Sequence, residues 1–125
     1  MHKSGLAGFI IDCKTDDLDN AARFWSEALR LPLETDADPG YRKLASGPGG
    51  MNIEVQQVDH PSRVHLDIES DDIPAEVKRL EGLGARVVKH VQSWVVMEAP
   101  TGHRFCVVQG RYKQLTAETG GGGSP

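Results

Sequence analysis

The stretch Arg63-Val64-His65-Leu66-Asp67-Ile68-Glu69-Ser70-Asp71-Asp72 decides the fold. Val64, Leu66 and Ile68 alternate strictly with Arg63, His65, Asp67 and Glu69. Successive side chains of a strand point to opposite faces, so this is a half-buried β-strand with one polar face. Asp71 and Asp72 then offer helix-capping carboxylates, and Pro74 falls in the first helical turn, where a missing N–H costs nothing. Ile73, Val77, Leu80 and Leu83 supply the apolar stripe of that helix, and Gly82 and Gly84 mark its end. Strands follow over 85–89, 94–97 and 104–108, with a turn at Pro100-Thr101-Gly102 before the last.

The first half carries the same order. Phe9 to Cys13 reads as a strand, Asp16 and Asp17 as helix caps, and Leu18, Ala21, Ala22, Trp25, Ala28 and Leu29 as an apolar stripe over 18–29. Strands are expected over 41–45 and 51–58, separated by the turn Ser46-Gly47-Pro48-Gly49-Gly50. Phe9-Ile10-Ile11-Asp12 falls on Val64-His65-Leu66-Asp67, and Thr15-Asp16-Asp17-Leu18 falls on Ser70-Asp71-Asp72-Ile73, at one constant offset. Pro48-Gly49-Gly50 falls on Pro100-Thr101-Gly102, which sets Glu54 opposite Cys106. A repeated β-α-β-β-β unit cannot bury its own sheet, so two units are expected to combine. The expected fold is α+β: two βαβββ modules, about 6–58 and 63–110, forming a curved eight-stranded mixed sheet with helices outside and a polar trough inside. The domain spans 1–112. Residues 113–125, ending Gly120-Gly121-Gly122-Gly123-Ser124-Pro125, read as a flexible tail.

The 125 residues suit one domain, and 38% hydrophobic with 26% charged residues is the composition of a globular protein. A net charge of -4 without a Lys/Arg cluster argues against nucleic acid as a partner. No apolar run reaches the ~20 residues that span a bilayer, and Met1-His2-Lys3-Ser4-Gly5 has no cleavable-signal pattern. Cys13 and Cys106 form no CxxC motif and are read as thiols of a cytoplasmic protein.

Taken in order, Phe24-Trp25-Ser26-Glu27-Ala28-Leu29, Arg63-Val64-His65-Leu66-Asp67, Leu83-Gly84-Ala85 and Ala99-Pro100-Thr101-Gly102-His103-Arg104-Phe105-Cys106 resemble the vicinal oxygen chelate superfamily. Within it the chain is most similar to the small glyoxalase-like and bleomycin-resistance-like domains. The resemblance covers about residues 8–110. It implies the paired fold, a homodimer and a divalent metal in the trough, with ligands from the first and last strands of each unit. Carried to this chain, those positions are Ile10, Glu54, His65 and Cys106. Ile10 cannot ligate, and Cys106 stands where a carboxylate is usual. The metals implied are Ni, Mg, Mn or Fe.

A His65/Glu54/Cys106 set with an open fourth position also suits zinc. The bland alternative is a wall histidine bonded to Glu54, with Cys106 as a small apolar filler. Without metal, His65 beside Glu54 or Asp67 is a candidate base near neutral pH. Asp12 and Asp67 occupy equivalent positions in both halves, so they are expected to serve the fold, accepting hydrogen bonds from the next strand or the loop entering the helix. Trp25 is expected in the core. Trp94 and Arg42 are candidates to line the trough with Ile10 and to suit a planar or anionic ligand. His103 and Arg104 are expected at the surface, and His60 and His90 in loops. Two functions follow from the resemblance: a lyase or isomerase acting next to a carbonyl on a small oxygen-rich molecule, with His65 and Glu54 central, or a non-catalytic drug- or antibiotic-binding protein without metal.

Overall fold

The computed structural model describes residues 2–45, 48–110 and 117–118. In chain order the elements are β1 (Lys3–Lys14), α1 (Leu18–Leu29), β2 (Tyr41–Leu44), β3 (Asn52–Val58), β4 (Arg63–Ser70), α2 (Ile73–Gly82), β5 (Arg86–Val91), β6 (Trp94–Glu98) and β7 (Arg104–Gln109). The fold is α+β, with these seven strands in one mixed sheet of order β2-β3-β1-β4-β7-β6-β5. A two-residue strand, β8 (Ala117–Glu118), pairs with Lys3 and Ser4. The remainder of the expected tail lies outside the described residues. Contacts group the chain into residues 8–65 and the remainder, and this division falls inside β1 and β4.

Within 8–65, β1 runs parallel to β3, and β3 runs antiparallel to β2. Parallel neighbours need a crossover, and α1 lies in it. Asp17 caps α1 by accepting from the Asn20 N–H at 3.1 Å. Arg30 ends it in the left-handed conformation, φ 59°, where Gly or Asn is the usual residue. Ile11, Cys13, Ala22 and Val55 form the core here, with Phe9, Leu18, Ala21, Trp25 and Leu33 packed against it. Burial pushes the Cys13 thiol up from its ordinary value, and the Asp12 charge adds to that against a hydrogen bond with Trp25.

Two βαβββ modules would make eight strands, but between α1 and β2 the chain forms only a single bridge, Leu33 to Leu44. The segment Leu31-Pro32-Leu33-Glu34-Thr35-Asp36-Ala37-Asp38-Pro39-Gly40 explains this. Its prolines donate no hydrogen bond, and Asp and Gly disfavour strands. Seven strands on the main path therefore stand where eight were expected. In the opposite direction, β1 starts well before Phe9. Gly5 and Gly8 weaken the strand pattern there, but tertiary pairing overrides it. Gly8 lies opposite Asn52 in so close an approach that an added Cβ would fall 1.7 Å from the Asn52 carbonyl oxygen.

In the other group, β4 runs parallel to β7, and β7, β6 and β5 pair antiparallel. Leu80, Val95, Met97, Phe105 and Val107 form the core under α2, joined by Ile68, Ile73 and Val77. Asp72 caps α2 through the Ala75 N–H at 3.0 Å. Leu83, expected on the helix stripe, sits at the C-cap and is 65% exposed. Glu76, by contrast, has no exposed surface. Its carboxylate receives Arg79 Nε and Nη2 at 3.0 and 2.7 Å and lies 2.8 Å from His2 Nε2. Burial pushes this carboxyl up, but the hydrogen bonds from Arg79, His2 and Ser4 and the Arg79 charge outweigh it, leaving it below the ordinary glutamate value.

Two outcomes follow. Gly8→Ala should lower stability by at least about 2 kcal/mol in urea unfolding, since the β1–β3 backbones must part. A loss no larger than that of an ordinary surface Gly→Ala change would contradict the close approach. Glu76→Gln should cost about 1–3 kcal/mol by leaving buried donors poorly matched. Because the folded carboxyl titrates below its unfolded value, the Glu76 contribution is full above the ordinary glutamate range of about 4.3 and is lost as pH falls through the folded value. Urea midpoints measured from pH 7 downward should converge for the two proteins in acid, and a gap independent of pH would count against this pairing.

Candidate metal and acid–base centre on β4

In β4 the residues Val64, Leu66 and Ile68 alternate with His65, Asp67 and Glu69, as the sequence pattern requires. Ile68 packs toward α2, so His65 and Asp67 project from the face away from that helix. On β7, Phe105 and Val107 belong to the core under α2, so Cys106 shares the Asp67 face. The register sets Cys106 directly opposite Asp67. His65, Asp67 and Cys106 thereby offer one nitrogen, one oxygen and one sulfur ligand atom within 4.8 Å of one another. All three residues are partly buried. A mixed N/O/S set of three protein ligands is a donor set that zinc accepts, with a fourth position for water or substrate.

Glu54, expected as the third ligand, is not in that group. It lies opposite Ile10 on the β1–β3 ladder, and its Oε2 accepts from Asn52 Nδ2 at 2.7 Å. Ile10 is 2% exposed beside it. Phe9, Ile11 and Cys13 face α1, so Ile10 and Asp12 occupy the other face of β1. Asp12 is the partner that the sequence reading did not assign to the histidine: its Oδ2 lies 2.8 Å from His65 Nδ1. Arg63 Nε approaches the same oxygen at 3.8 Å. The only available signal was the alternation that puts Asp12 on the polar face of its strand.

The other candidates lie apart from this cluster. Arg42 pairs in register with Val55, which packs against α1, and its guanidinium bonds to Asp19 of that helix. Trp94 opens β6 and lines a cavity of about 370 Å³ with Ile73, Pro74 and Val77 of α2 and His90, Gln92 and Ser93 of the hairpin. His103 sits at the turn with Nδ1 2.7 Å from Thr101 Oγ1. Both cysteines are free thiols.

A family model described as a glyoxalase-like domain matches residues 8–108. The chain belongs to that family. It is similar to a hypothetical protein, BH1468, from Bacillus halodurans C-125, with TM-score 0.64, 13% identity, and 90% of this chain and 99% of that chain covered. It is similar to methylmalonyl-CoA epimerase from Mycobacterium tuberculosis, with TM-score 0.57, 19% identity, and coverage of 84% and 87%. A Mn(II)-bound glyoxalase from Novosphingobium aromaticivorans matches with TM-score 0.57 and 15% identity over 93% of this glyoxalase-like chain but 44% of that one. At these identities the likeness is one of fold. No curated protein sequence matches the chain. Among the described residues no helix is long and apolar enough to cross a membrane.

Proposed function

We propose that this glyoxalase-like chain binds a small oxygen-rich molecule on the sheet face that carries His65, and that it acts on it as a lyase or isomerase next to a carbonyl, with a divalent metal held by His65, Asp67 and Cys106. The observation that carries the reading is the convergence of those three ligand atoms within 4.8 Å. When bound, such a metal supplies Lewis-acid polarisation of a carbonyl oxygen. The remaining chemistry belongs to the chain. The Glu54 carboxylate, oriented by Asn52, is the proton acceptor for a carbon acid, and the buried Ile10 beside it limits access of water. The Mn(II) bound by the glyoxalase neighbour supports a metal in this fold.

A second reading is a binding protein without metal or turnover. Ile10 favours it, because a family ligand position is filled by a side chain that cannot ligate. In that form His65 and Asp12 serve as a hydrogen-bonding wall. We also propose a cytoplasmic homodimer. Val64 and Leu66 on β4 are 57% and 52% exposed, and a second copy would cover them.

The metal reading predicts about one equivalent of zinc or another divalent ion per untagged chain, dropping at least about tenfold in His65→Ala and in Cys106→Ala. A content below roughly a tenth of an equivalent, unchanged by either substitution, would exclude the centre and leave the binding-protein reading. For the dimer, light scattering should give twice the chain mass, and Leu66→Glu should return it to one; a monomeric wild type would rule the dimer out.

A further inference from the structure

We propose that Asp12 is the positioning residue of the centre: it holds the hydrogen of His65 on Nδ1 and thereby makes Nε2 the ring nitrogen that presents a lone pair. The inference rests on the proposed role of His65. It assigns to Asp12 a task that the duplication of the aspartate in both halves of the sequence does not suggest.

The geometry is local and well supported. Asp12 is 2% exposed, the His65 side chain is 12% exposed, and Oδ2 meets Nδ1 at 2.8 Å, a good charge-assisted hydrogen-bond length. A carboxylate can only accept, so Nδ1 must donate, and in the neutral ring the lone pair is then on Nε2. The strand ends are tied where this bond forms. The Lys14 N–H at the end of β1 donates to Ser62 Oγ at 2.9 Å, just before β4 begins. Arg63 Nε lies 3.8 Å from the same Asp12 oxygen, which places a positive charge beside the carboxylate.

The choice of nitrogen matters for either chemistry. A metal-ligating histidine commonly donates its second N–H to a carboxylate, which fixes the ring and raises its basicity as a ligand. A histidine that takes a proton from substrate needs the same fixed tautomer. Asp12 supplies it from a different strand, so the ring is held by the sheet rather than by its own side-chain torsions. Glu54, which the sequence offered for this task, is engaged by Asn52.

The test is ring-nitrogen NMR on the full ¹⁵N-labelled chain at neutral pH, with the His65 signals assigned by their loss in His65→Gln. Wild type should show His65 with Nδ1 protonated. Asp12→Asn can turn its amide N–H toward the ring, so a substantial Nε2–H population should appear. In the same variant zinc affinity should fall roughly 10–100-fold, with Asp12→Glu recovering part of it. A merely structural Asp12 would move the melting temperature without changing the tautomer. An Nε2–H tautomer in wild type, or an unchanged tautomer in Asp12→Asn, overturns the proposal. If Asp12→Asn does not fold, the wild-type spectrum decides alone. A wild type that binds no zinc removes the metal reading of the centre, and the tautomer result still decides the role of Asp12.

Discussion

The parallel pairing of β1 with β3 and of β4 with β7 is the constraint from which the rest follows. Parallel neighbours cannot be joined by a tight turn, so the chain must cross over. Each crossover here contains a helix whose apolar stripe covers one face of its strands. The period of two then leaves the alternate side chains for the uncovered face. Ile10, Asp12 and Glu54 in one half, and His65, Asp67 and Cys106 in the other, are there because Ile11, Val55, Ile68 and Phe105 are needed under the helices. The polar centre is a consequence of where the core had to be.

Much of this was legible because it was periodic. The bounds of α1, its Asp17 cap, the Asp72 cap of α2 and the alternation of β4 follow from local chemistry that the sequence states outright. The misreadings occur where tertiary pairing decides. The opening of β1 holds glycines that weaken a strand pattern, and partners in space settle its conformation. The count of eight strands fails between α1 and β2, because Pro32 and its neighbours cannot sustain a ladder beyond Leu33. The burial of Glu76 is explained only by Arg79 and His2, which meet its carboxylate from the next turn of α2 and from the start of β1. A buried carboxylate is costly unless matched, so its partners had to be known before its place was.

The centre was legible by face but not by partner. Alternation put His65 and Cys106 on polar faces, and both are in the cluster. It could not say that Asp67 rather than Glu54 lies in that cluster, because that depends on register. Nor could it say that Asp12 would reach His65, because that contact joins strands far apart in sequence. Parity is a property of one strand, whereas distance is a property of two.

Register also sharpens the asymmetry between the halves. The repeat in sequence sets Ile10 against His65 and Glu54 against Cys106. The ladders set Ile10 beside Glu54, but Asp67, not His65, beside Cys106. Relative to its helix and turn, the second half is therefore paired with its first strand displaced along the ladder, by an even step that keeps every side chain on its face. An odd step would have turned His65 and Asp67 toward α2 and lost the centre. The displacement makes the two halves chemically unequal. One carries an apolar residue beside a carboxylate. The other brings a carboxylate beside a thiol, with the imidazole next along the strand. The half that departs from simple repetition carries the carboxylate–thiol pair, and the half that retains Ile10 carries Asp12, whose Oδ2 lies 2.8 Å from His65 Nδ1.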